Sequence, residues 1–218
     1  QSYGLYHMAL LLPTREDLAN VFKHLLDLKI PLVGGADHGY SEAIYLEDLE
    51  SNGIELYRDK PVTVWDIRED GRIIGVTEEL SAQAIYELGK ELDPFAIASG
   101  TSMGHVHLSV KNSREASTFY QDSLGLEDKF TIPHASWIAS GDYHHHLAVN
   151  EWGGKNLVRR KNGMVGLAYY VVEVENKEFL VNLFTQAQDW QEQLRWISSS
   201  EFSVTDKDGI VTRVRVEN

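Results

Sequence analysis

The chain has 218 residues, 43% of them hydrophobic and 24% charged, enough for one large or two small domains with cores of their own. A formal net charge of −13 without a basic cluster would repel a phosphate backbone, and no apolar run approaches the ~20 residues of a membrane span, so nucleic acid and membrane are set aside as partners. The chain has no cysteine, so any metal must be held by histidines and carboxylates, and a cytoplasmic location fits.

The first predicted element is a strand over residues 6–12. Pro13-Thr14 opens a helix with Glu16 and Asp17 in its first turn, and Leu18, Val21, Phe22, Leu25 and Leu26 recur at helical spacing. Two short strands follow in "SEAIYLEDLESNGIELYRD", joined by a turn at Ser51-Asn52-Gly53. Residues 63–102 read as a connector with a short helix over 81–92. The opening plan then returns. Residues 105–110 form a strand, Asn112 or Ser113 caps a helix running to about Leu124, Gly125 stops it, and "ASWIASGDYHHHLAVNEW" supplies further strands. A second connector, "GKNLVRRKNGM", is polar, basic and expected to be mobile. A third copy begins at "GLAYYVVEVENKEFLVNLF" and ends in a hairpin around Asp208-Gly209. The fold class is therefore α+β, with three visible modules of strand–helix–three strands at 1–62, 103–153 and 163–218.

His7 lies fifteen residues before Phe22, and His105 fifteen before Tyr120, so they hold equivalent places in the first strands of two copies. The third copy has Tyr169 there. Glu55 lies in a strand between apolar Ile54 and Leu56, and a lone buried carboxylate costs several kcal/mol unless paired or metal-bound. Two imidazoles and one carboxylate are the set used by non-haem Fe(II) oxygen enzymes. The plainer reading is of two polar strand residues and an exposed glutamate. In "GDYHHHLAVNEW", strand alternation would turn His145 to one face and His144 and His146 to the other. His24, His107 and His134 read as structural or surface residues.

"GLYHMALLLPTREDLANVFKHL", "DHGYSEAIYL", "NGIELYRDKP", "GHVHLSVKN", "FYQDSLGL" and "GDYHHHLAVNEW" together resemble the vicinal oxygen chelate superfamily, and within it the catechol-2,3-dioxygenase-like, glyoxalase-family proteins of Gram-positive bacteria. The resemblance covers essentially the whole chain. It implies βαβββ modules in the glyoxalase/bleomycin resistance/extradiol dioxygenase fold. Leu49 stands where the family commonly has a proline, a departure that affects a turn. Full members have four modules, and this chain begins at the second, so the resemblance implies a preceding module and a third module paired with its copy in a homodimer.

The resemblance further implies a metal site of His7, Glu55 and His105 holding Fe(II), with Mn(II) as the variant. His38 would hydrogen-bond substrate or oxygen, and Tyr45 a substrate hydroxyl; "ADHG" is also ordinary turn chemistry, and Tyr45 an ordinary core aromatic. His145 would be the acid–base histidine, by alignment of its apolar run; counting back from Ala148, matched to Glu55, would select His146 and His144 instead. The implied activity is extradiol cleavage of a small aromatic diol by O₂. The alternatives are a glyoxalase-like metal isomerase or lyase, which needs a fourth ligand where Ala148 stands, and a non-enzymatic small-molecule binding protein on the same fold.

Overall fold

The computed structural model describes residues 2–154, 156–161 and 163–217, apart from the side chains of Gln188, Gln191 and Glu192. Gln1, Asn218, and Lys155 and Asn162 of the basic connector lie outside the described residues. The chain divides into two compact units, Tyr6–His107 and Gln1–Leu5 with Leu108–Asn218. Among the described residues no helix is long and apolar enough to cross a membrane.

The unit Tyr6–His107 is built on β1 (Gly4–Leu11), α1 (Arg15–Asp27), β2 (Gly34–Asp37), β3 (Ser41–Glu47) and β4 (Gly53–Asp59). The short strands β5 (Asp66–Ile67), β6 (Ile73–Ile74) and β7 (Glu78–Glu79), α2 (Ala82–Leu88) and β8 (Ser102–Ser109) follow. The strand order is β7-β2-β3-β4-β1-β8. β1 runs parallel to β4, while β3 is antiparallel to both β4 and β2. Thr14 caps α1 by accepting from the Asp17 amide at 3.1 Å, an interaction worth about 1 kcal/mol. The apolar stripe of α1 (Leu18, Ala19, Val21 and Phe22) is buried against Leu12, Ile44 and Leu56 of the sheet and Ile85 of α2. Each large side chain buried there contributes about 1.5–3 kcal/mol. Because strand side chains alternate, Leu10 and Leu12 face the helix, which leaves His7 and Ala9 on the opposite face.

The connector holds more order than its sequence suggests. β7 pairs with β2, and α2 ends at Leu88, short of the predicted Leu92, because Gly89 takes extended backbone angles. β2 is "GGAD", with none of the β-branched residues that mark a strand, and exists through its pairing with β3.

The second unit repeats the plan. α3 (Ser113–Leu124) is capped by Asn112 and stopped by Gly125 in the left-handed region, φ 67°. β9 (Glu127–Ile132), β10 (Ala135–Ala139) and β11 (Leu147–Asn150) form antiparallel pairs in that order. β12 (Tyr170–Val174), α4 (Lys177–Gln186), β13 (Leu194–Ser198), β14 (Glu201–Thr205) and β15 (Val211–Val216) complete it. Their order β12-β15-β14-β13, with β12 parallel to β15, reproduces β1-β4-β3-β2.

The tip of the β14–β15 hairpin carries a buried acid. Asp206 is 3% exposed, accepts from the Tyr120 hydroxyl at 2.8 Å, and takes the amides of Asp208 and Ile210 on its other oxygen. Burial outweighs these bonds and raises its pKa from 3.8 to about 6. The folded state therefore holds this proton more tightly than the unfolded chain. The resulting stability is fully present below pH 3.8 and is lost as pH rises through about 6, on the order of 3 kcal/mol. Asp206→Asn removes the titration and keeps an acceptor for the amides. Urea unfolding at pH 4 and pH 7 should show the variant gaining stability relative to wild type by roughly that amount at the higher pH. Parallel pH dependences would refute the assignment.

Candidate metal centre

Three buried side chains of the first unit converge. His7 comes from β1, Glu55 from β4 and His105 from β8, and they are 7%, 3% and 3% exposed. Glu55 sits beside Ala9 on one side and Tyr45 on the other, so the pleat turns all three to the face that α1 does not cover. His7 lies two residues before Ala9, on the same face. Its register partner is Gly53, where a side chain would meet the Tyr6 carbonyl oxygen at 2.3 Å and the His7 Cβ at 2.9 Å.

The Nε2 atoms of His7 and His105 lie 3.0 and 3.1 Å from the same oxygen, Oε2 of Glu55. All three ligand atoms lie within 4.8 Å of one another. Ligands about 2.1 Å from one ion and at right angles stand about 3 Å apart, so each histidine stands from Glu55 as adjacent ligands of one ion would. Burial by itself would raise the Glu55 carboxyl. The charges and hydrogen bonds of His105 and His7 outweigh it and hold the group well below the usual carboxylate range. An ionised carboxylate with two imidazoles fits a divalent ion of the Fe(II), Mn(II) or Zn(II) kind.

Tyr45 and His38 adjoin this cluster. The Tyr45 ring is 5.7 Å from that of His7, and the Tyr45 hydroxyl is 2.7 Å from His38 Nε2. His38 Nδ1 lies 2.8 Å from the Val76 carbonyl oxygen. A carbonyl only accepts, so Nδ1 carries the proton, and in the neutral ring Nε2 accepts from Tyr45. Burial, then the charge of Glu55, raises the Tyr45 hydroxyl well above its ordinary value, so it remains a donor. Val76 was not singled out from the sequence; its contact with the His38 ring spans 38 residues and uses only its backbone carbonyl.

His107, read from sequence as structural, is 3% exposed and stands edge-on to His7 at 4.8 Å. The H-x-H spacing in a strand was the signal that it shares a face with His105. Burial, then the charges of His7 and His105, lowers its pKa far below the usual histidine value, so the ring is neutral. His24 stacks on Phe95, and His134 is a surface residue paired with Glu151.

Tyr57 packs behind His105, ring to ring at 5.0 Å, and crosses Gly104 so closely that an added Cβ would lie 1.9 Å from its hydroxyl oxygen. Gly104→Ala is therefore expected to displace Tyr57 or β8, costing about 1–3 kcal/mol and weakening metal binding through His105. Thermal unfolding and metal titration would measure both. An unchanged melting temperature would show that the strand yields freely.

The triple-histidine run departs from its sequence reading. Residues 140–146 form bends, and β11 begins only at Leu147. Gly141 at φ 64° turns the chain, so strand alternation does not apply. His144 and His145, expected on opposite faces, are both buried and meet at Nδ1, 2.7 Å apart. His146 is exposed, and its Nδ1 accepts from the Ser140 amide at 3.3 Å. All three belong to the unit containing Leu108–Asn218, whereas the metal cluster belongs to the other.

No family model matches the sequence. A curated protein of Bacillus subtilis (strain 168) named catechol-2,3-dioxygenase is 35% identical over 179 residues, 81% of this chain and 62% of the relative. A solved structure from Bacillus subtilis subsp. subtilis str. 168, provisionally named a dioxygenase, matches with a TM-score of 0.58 at 10% identity. That match covers 98% of this chain and 62% of the other. The chain thus spans just under two thirds of the length of each, and the second likeness speaks to the fold alone.

Proposed function

We propose that this chain, a member of the vicinal oxygen chelate superfamily, serves a metal-dependent extradiol dioxygenase that opens a catechol-type ring with O₂. The observation supporting this reading most strongly is the buried convergence of His7, Glu55 and His105. These residues would hold Fe(II) or Mn(II). Such an ion, when bound, supplies coordination sites for both hydroxyls of a diol and for dioxygen.

The chain's own groups have separable tasks. Glu55 stays ionised and supplies the one negative charge among the three ligands. Tyr45 stays protonated and gives its one proton to His38, which Val76 fixes, so the Tyr45 hydroxyl oxygen is left to accept from a substrate hydroxyl. His145 is assigned by the resemblance to take a catechol proton and return it later; an imidazole suits both steps near neutral pH. A glyoxalase-like isomerase is the weaker reading, because among the described residues the cluster holds three ligands, not four.

The test is anaerobic loading with Fe(II), Mn(II) or Zn(II), followed by O₂ uptake and absorbance on a panel of catechols. The proposal expects stoichiometric O₂ consumption and a yellow ring-opened product with Fe(II) or Mn(II). Tight metal binding without O₂ consumption on any diol would overturn it.

A further inference from the structure

His144 and His145 are adjacent in the chain and 1% and 5% exposed, with their Nδ1 atoms 2.7 Å apart. The Tyr143 ring covers His144 at 4.1 Å and reaches His146 at 4.9 Å. A nitrogen–nitrogen contact this short holds one proton, because two N–H groups would collide and two lone pairs would repel. One ring therefore donates from Nδ1, and the other accepts there. In the neutral pair the donor ring then has its lone pair at Nε2, and the acceptor ring has its N–H at Nε2. The two outer nitrogens are thus unlike: one is a base and the other an acid.

We propose that His144 and His145 act as one proton-relay unit, in which His144 is the positioning residue that sets the tautomer of His145. A proton arriving at the donor ring's Nε2 makes that ring an imidazolium. The shared proton then crosses to the partner's Nδ1. The partner releases its Nε2 proton, and the pair is neutral again with its tautomers exchanged. One proton enters and one leaves, with no other change. The catalytic consequence rests on the reading of His145 as the acid–base histidine; the shared proton does not.

Two experiments on the full chain test this. Long-range ¹⁵N–¹H correlation on histidine-labelled protein at neutral pH should show one ring of the pair protonated at Nδ1 and the other at Nε2. The same tautomer in both would overturn the proposal. With Fe(II)-loaded protein and catechol, His144→Phe should lower kcat by roughly 10-fold or more at a nearly unchanged KM. His144→Asn, whose amide reaches the Nδ1 position, should recover most of that loss. Equal kcat for the two variants would overturn the positioning role. If His145→Gln retained turnover while the tautomers were opposite, the proton-sharing pair would stand and the acid–base assignment would fall.

Discussion

Replacing Glu55 with glutamine is expected to lower the affinity for Fe(II) and Mn(II) by at least about 100-fold, already the upper end of the loss from changing an outer partner of a metal ligand, with catechol turnover falling at least as far. The change is nearly isosteric and removes the one negative charge among the three ligand side chains. Its consequences for folding are smaller. Deleting one partner of a buried ion pair is severe when it strands a charge, at about 3–5 kcal/mol. Here the groups left behind are imidazoles, and a neutral imidazole leaves no stranded charge. Glu55→Gln should therefore fold, with a circular dichroism spectrum matching wild type, while metal titration followed by elemental analysis shows the loss. Wild-type metal affinity in the folded variant would remove Glu55 from the ligand set. It would leave the 3.1 Å contact of His105 as ordinary histidine–carboxylate hydrogen bonding and the 3.0 Å contact of His7 as a close polar approach.

The parts of this site legible in the sequence are those set by local periodicity. His7 and His105 were matched through their spacing to α1 and α3, and those helices announce themselves by Thr14, Asn112 and Gly125. In the structure, the alternation of β1 puts Ala9 and His7 on the face opposite Leu10 and Leu12. What could not be read depends on contacts distant along the chain. β2 has no strand composition and is ordered by β3 and β7. The tautomer of His38 is set by a carbonyl, which every residue carries, so no residue type could mark Val76. The histidine run was misread for a different reason. Alternation was applied past the end of a strand, although Gly141 just upstream was a turn signal.

His145→Gln is expected to lower catechol turnover by about 10²–10⁴-fold while metal affinity stays near wild type. Both halves of that expectation are needed. The imidazole takes and returns a proton near neutral pH; a glutamine amide donates and accepts hydrogen bonds but does neither. Metal affinity should persist because His145 is outside the cluster formed by His7, Glu55 and His105. The substitution also leaves His144 buried with its Nδ1 partner replaced, so a structural cost is expected, of about 1–3 kcal/mol. A urea titration of the same variant separates that cost from the kinetic one, since a destabilised but folded protein binds catechol with an ordinary KM and turns over slowly only if the proton step is impaired. Single-turnover mixing of the metal-loaded, catechol-bound variant with O₂ would locate the defect. A slow ring-opening step at saturating O₂ supports the acid–base role. Loss of metal would instead make the histidine run part of the metal site, and unaltered turnover would move the proton step to His38 and Tyr45, the hydrogen-bonded pair that adjoins His7.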